Sequence, residues 1–95
     1  MTEFTIEQKR ILQTEIPGPK SREMHERRLR EVSRGVGAAL PVYIERANGA
    51  ILVDIDGNQL TDLGSGIGVV TIGHTNQQLV DAVSAQVANL THTLF

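Results

Sequence analysis

Three kinds of residue in this chain have the chemistry for a reactive site. They are the alternating glycines at 64, 66 and 68, the histidines at 25, 74 and 92, and the aspartates at 54, 56 and 62. Glycines let a backbone pass close to a phosphate, as dinucleotide loops do. That fingerprint runs G-x-G-x-x-G and opens a helix at once. Here the run is Gly64-Ser65-Gly66-Ile67-Gly68, the next helical pattern begins only at Gln77, and no Walker lysine follows. The run reads instead as irregular backbone with Ile67 as the side chain it presents. Metal ligands usually stand at short, regular spacing. The three histidines are far apart and cysteine is absent, so no metal site is expected. His74 reads as part of a turn, and His92 as a polar residue closing a helix. Asp56-Gly57 has turn chemistry, and Asp54 is expected to alternate outward from a strand. Structural roles are therefore read for the aspartates ahead of acid–base work. Lysine occurs only at 9 and 20, in polar sequence. A Schiff-base amine needs desolvation or a neighbouring cation, and neither lysine reads as one.

The elements that must position these residues follow from periodicity. Residues 1–20 read as an arm or linker. A short helix within Thr5–Thr14 is conceivable, stopped by Pro17-Gly18-Pro19. Ser21 to Arg34 reads as a helix, with Ser21 as N-cap, Glu23 in the first turn and Gly35/Gly37 as the stop. Its arginines read as a solvated face paired with Glu23, Glu26 and Glu31. From Pro41 the pattern changes. Three strands around Asn48-Gly49 and Asp56-Gly57-Asn58 make an antiparallel meander over 42–63. A glycine loop covers 64–75. Asn76 then caps an amphipathic helix, 76–91, with Leu79, Val80, Val83, Val87 and Leu90 on one face. The fold class is α+β.

Composition narrows the function. Ninety-five residues make one small domain or a piece of a larger one. The apolar content is aliphatic, with no tryptophan, one tyrosine and two phenylalanines, so an independent core is thin and stability alone is marginal. Without cysteine there is no disulfide, which fits a reducing compartment. A net charge of −2 gives no reason to expect nucleic acid or an anionic membrane as partner. No apolar run is long enough to span a bilayer, and the start lacks the pattern of a signal peptide. A cytoplasmic chain is expected.

Six stretches then occur in a specific order. They are Ile16-Pro17-Gly18-Pro19-Lys20-Ser21, Pro41-Val42-Tyr43, Asp54–Asn58, Leu63–Val69, Gly73-His74 and Thr91–Phe95. The set, over roughly 16–95, resembles the N-terminal segment of class III aminotransferases, pyridoxal-phosphate transferases of fold type I. Within that family it is most similar to the branch that uses 4-aminobutyrate. The resemblance implies that Ile67 lines the substrate pocket. It makes Gly66, Gly68, Thr91, Thr93 and Phe95 pocket or interface candidates. It implies packing on the rest of the same chain and on a second subunit of a homodimer. It also implies pyridoxal 5'-phosphate as cofactor, and 4-aminobutyrate and 2-oxoglutarate as substrates. The family's phosphate-binding segment, ring-nitrogen aspartate, Schiff-base lysine and carboxylate-binding arginine correspond to positions after 95. The 95 residues alone are therefore expected to be inactive and to hold no cofactor. Gly68 stands where the family commonly has alanine, and Thr75-Asn76-Gln77 where a proline is common. Two other readings stay open. One is another ω-aminotransferase, of ornithine or acetylornithine type. The other is a stand-alone interaction module that pairs through the Leu79–Leu90 face.

Overall fold

The structure, a computed structural model, describes residues 5–94. No helix forms within Thr5–Thr14. The arm instead runs beside the sheet, and Ile11 pairs antiparallel with Gln59 through N–H···O bonds of 3.0 and 2.7 Å.

The first helix, α1, spans Pro19–Glu31. It begins and ends earlier than the expected 21–34. Proline at the first helical position loses nothing, because that N–H has no intrahelical partner. The Pro-Gly-Pro run therefore opens a helix and does not merely stop one. Ser21 lies inside α1 and is fully buried, so it is not the N-cap, and the first turn holds no acidic residue. The carboxylate that the helix dipole favours comes from Asp56, 35 residues beyond Ser21 in the chain. Asp56 accepts from the backbone N–H of Lys20 at 2.8 Å and of Ser21 at 2.9 Å. Partial burial is the largest single influence and works to raise its pKa, but these two donors, the Ser21 hydroxyl and the Lys20 charge together outweigh it, and Asp56 titrates below the usual carboxylate range. Part of the arginine-rich face is paired as expected, with Arg27 bonded to Glu31 at 2.9 Å.

The sheet is a three-stranded antiparallel meander in the order β1-β2-β3, with β1 Ile44–Asn48, β2 Ile51–Asp54 and β3 Gln59–Thr61. Asn48 pairs with Ile51, and a register shift between Ile44 and Arg46 marks a bulge. The first turn is therefore Gly49-Ala50, one residue later than Asn-Gly suggests. Only Gly49 takes positive φ, +58°, while Asn48 stays in the strand and uses its side chain elsewhere. It accepts from the Ile6 N–H and donates to Thr75 Oγ1.

The second turn, Asp54–Asn58, does more than reverse the chain. Asp54 is fully buried, which corrects the expectation that it points outward. Its carboxylate accepts from Asp56 N–H, Asn58 N–H and Asn58 Nδ2 at 2.8–2.9 Å. Buried Asn58 in turn accepts from the N–H of Gln13 and Thr14 and donates to Thr14 Oγ1. One five-residue turn thus ties together the arm, α1 and the sheet.

Apolar burial is slight. Ile51 and Val53 are the buried hydrophobic residues among those described, and Ser21, Asp54 and Asn58 are equally buried. A single helical turn, α2, Ser65–Gly68, follows the sheet. The last helix, α3, spans Gln77–Asn89. Asn76 caps it, accepting from Leu79 N–H at 3.3 Å. Leu79, Val83, Val87 and Leu90 are each about half exposed, so the apolar stripe of α3 has little cover within 5–94. No helix among the described residues is long and apolar enough to cross a membrane.

Candidate functional site

The expected glycine loop contains a turn of unusual hand. Ser65, Gly66, Ile67 and Gly68 all have positive φ, at 50°, 62°, 62° and 75°. α2 is therefore wound left-handed. Glycine takes this conformation freely, whereas an L side chain costs about 1–2 kcal/mol per residue. Close approach is not what requires glycine here, since a Cβ on Gly68 would meet nothing within 4 Å. The two glycines are there for backbone handedness. Ser65 and Ile67 are the non-glycine residues of the turn, and Ile67 is β-branched, held where such residues are seldom found. The Ile67 side chain is 98% exposed, flanked by exposed Leu63 and Val69.

The turn is held from outside. Asp62 Oδ1 accepts from the backbone N–H of Gly64 at 3.0 Å and of Ser65 at 2.8 Å. Asp62 Oδ2 lies 2.6 Å from His74 Nε2. An ionised carboxylate only accepts, so Nε2 carries the hydrogen of this bond. The His74 bond is the main reason Asp62 titrates below the usual carboxylate range. Burial opposes it, and the Ser65 and Gly64 donors add to it. His74 is anchored through its own backbone, which exchanges N–H···O bonds of 2.9 and 3.0 Å with Gly49. Thr75 also has positive φ, +51°. Its hydroxyl donates to Ala47 O and accepts from Asn48 Nδ2, which offsets that strain.

Asp56 and Asp62 make acid stability predictable. Both have folded pKa values below their unfolded ones. Their contribution is complete above the unfolded carboxylate pKa and is lost as pH falls through the lowered one. The start of α1 and the α2 turn should therefore hold at neutral and weakly acid pH and loosen below about pH 4. Amide exchange at Lys20, Ser21, Gly64 and Ser65 measures this. Equal protection on both sides of that pH would contradict it.

The structure brings Gly66, Ile67 and Gly68 into one turn. Thr91 and Thr93 are exposed past the far end of α3, a helix about 20 Å long by its residue count. Phe95 lies outside the described residues. The histidines go separate ways. His25 Nδ1 is 2.8 Å from the Tyr43 hydroxyl, His74 joins Asp62, and His92 is exposed. Among the described residues no three His, Cys, Asp or Glu side chains group as a metal site. Lys9 pairs with Glu7 at 3.2 Å with its side chain 59% exposed, and Lys20 is exposed in the first turn of α1. Sequence reasoning missed the Asp62–His74 pair, and no spacing rule would have joined them. The backbone pairing of His74 with Gly49 and of Asp62 with Ala50 brings them together.

The helix and three-stranded antiparallel meander are consistent with the N-terminal segment of an aminotransferase. The family described as Aminotransferase class-III matches residues 32–95, and the chain belongs to that family. It is similar to the 4-aminobutyrate aminotransferase of Mycobacterium leprae, 56% identical over 96% of this chain and 20% of that protein. It is 36% identical to the 4-aminobutyrate aminotransferase of Escherichia coli over 79% of this chain and 18% of that protein. It is also 36% identical to the 5-aminovalerate aminotransferase of Pseudomonas putida over 74% of this chain and 16% of that protein. The chain thus spans at most about a fifth of the length of these relatives.

Proposed function

We propose that these residues are the N-terminal segment of a cytoplasmic, homodimeric 4-aminobutyrate transaminase. Such an enzyme moves the amino group of 4-aminobutyrate to 2-oxoglutarate, giving succinate semialdehyde and glutamate. The observation that carries the reading is Ile67, an apolar side chain fully presented on a strained turn that nothing in 5–94 covers. Strained backbone concentrates at ligand-contacting sites. An apolar wall suits the methylene chain of an ω-amino acid. Gly66 and Gly68 permit the turn. Thr91, Thr93 and Phe95 are assigned to the region where pocket and dimer interface meet. The remainder of the protein covers the α3 stripe.

Pyridoxal phosphate is the cofactor this reading requires, and the described residues do not fit it. A Schiff-base lysine needs a desolvated setting, while Lys9 and Lys20 both face solvent. No step is assigned to the cofactor through these residues, and the 95 residues alone are read as inactive.

The test compares the intact gene product with the 95-residue chain. Both are supplied with pyridoxal phosphate, 4-aminobutyrate and 2-oxoglutarate, and succinate semialdehyde is measured. Turnover is expected only from the intact protein. An intact protein inert towards 4-aminobutyrate would overturn the substrate assignment. A donor one methylene longer is the second reading, favoured by the similarity to a 5-aminovalerate aminotransferase, and glutamate formation, the product common to both donors, compared between 4-aminobutyrate and 5-aminovalerate decides between them.

A further inference from the structure

We propose that Asp62 and His74 are positioning residues that fix the direction in which Ile67 is presented, and through it the length of donor the pocket accepts. This rests on the assignment of Ile67 to the substrate pocket.

The argument is geometric. Both partners are anchored on the tip of the β1–β2 hairpin. Asp62 N–H donates to Ala50 O at 2.9 Å, and the His74 backbone pairs with Gly49. Their side chains then meet at 2.6 Å and close the loop 62–74 at its base. These side chains are only 11% and 20% exposed, whereas Ile67 at the far side of the loop is 98% exposed. The other Asp62 oxygen takes the Gly64 and Ser65 N–H groups at the entrance to the left-handed turn. One carboxylate therefore joins the fixed hairpin to the turn carrying Ile67. Ser65 and Ile67 disfavour this hand of turn. Its own backbone bonds, from Ile67 N–H and Gly68 N–H to Gly64 O at 2.8 and 3.2 Å and from Val69 N–H to Ser65 O at 2.8 Å, oppose that strain, and the Asp62 carboxylate adds the restraint that ties the turn to the hairpin. Without Asp62 the turn relaxes and the apolar wall recedes, admitting a longer donor.

The test uses the intact protein as wild type, Asp62→Ala, Asp62→Asn, His74→Ala and Ile67→Ala. The quantity read is kcat/KM for 4-aminobutyrate divided by that for 5-aminovalerate. A ratio does not depend on how much enzyme is active, so a merely structural defect leaves it unchanged. Asp62→Ala should lower the ratio at least about fivefold, mainly through KM, in the direction of Ile67→Ala. Asp62→Asn keeps an oxygen for the two backbone donors, and its amide can donate to neutral His74, so it should stay within about twofold of wild type. His74→Ala should give a smaller shift of the same sign, and it carries the test if Asp62→Ala does not fold. In the protein without substrate, Asp62→Ala should speed amide exchange across 64–70 and leave Ile51–Asp54 unchanged. A wild-type ratio in both Asp62→Ala and His74→Ala, beside a changed ratio in Ile67→Ala, would overturn the positioning role and leave the pocket reading standing. An unchanged ratio in Ile67→Ala would remove the pocket wall itself, and the proposal with it.

Discussion

Replacing Asn58 by alanine should destabilise the intact protein by about 3–5 kcal/mol, as large an effect as any single side-chain truncation in this segment. Asn58 is completely buried and every polar atom of its amide is used. The oxygen accepts from Gln13 and Thr14, and the nitrogen donates to Thr14 and Asp54. Alanine strands two backbone N–H groups and removes a donor from a buried carboxylate. Each group left without a partner costs about 1–3 kcal/mol. Asn58→Asp is the sharper variant. It preserves volume and shape but sets a second carboxylate where the amide nitrogen now lies 2.9 Å from Asp54 Oδ2. Like charges that close cannot both stay ionised, so Asn58→Asp should be at least as damaging near neutral pH and recover partly in acid. Urea denaturation reads the loss, and amide exchange at Gln13 and Thr14 locates it. A loss below about 1 kcal/mol for both variants would mean that the arm is held by something other than this turn.

The same turn shows where reading the sequence stops short. Asp54-Ile55-Asp56-Gly57-Asn58 is legible as a chain reversal, because Gly57 supplies positive φ and the aspartates have turn chemistry. Nothing in a linear pattern says that Asp54 is buried, that Asp56 caps a helix 35 residues before it, or that Asn58 holds the arm. These are long-range polar contacts, and periodicity carries no record of them. The meander and α3 were legible for the opposite reason. Turn residues, strand alternation and an Asn cap are local signals, and the structure keeps them with small shifts. The sequence pattern sets the start of α1 two residues late because Pro-Gly-Pro reads as a stop. Which way a proline acts depends on whether the helix lies before or after it. The α2 turn was legible only as irregular backbone. Its left hand at Ile67 contradicts local propensity, and such contradictions gather where a protein uses strain.

That contradiction sets the second large effect. On the proposed placement of Ile67 in the pocket of a 4-aminobutyrate transaminase, Ile67→Gly should lower kcat/KM for 4-aminobutyrate about 10–100-fold in the intact protein, since it would delete a whole aliphatic wall where one methylene is worth about 1–3 kcal/mol. Stability should move the other way. Relaxing a β-branched residue from the left-handed region returns about 1–2 kcal/mol, and the added freedom of glycine in the unfolded chain takes back about 0.5–1. No burial within 5–94 is lost, because the side chain is 98% exposed. A net gain of about 0–1.5 kcal/mol alongside a large loss of activity is the signature of strain held for function. Steady-state kinetics and a urea midpoint on the same preparation give both numbers. The pairing of signs is what discriminates. If Ile67→Gly lost several kcal/mol of stability, the side chain would be packed in the core of the intact protein. Its strained turn would then serve to reach that core, and the donor would have to be recognised elsewhere.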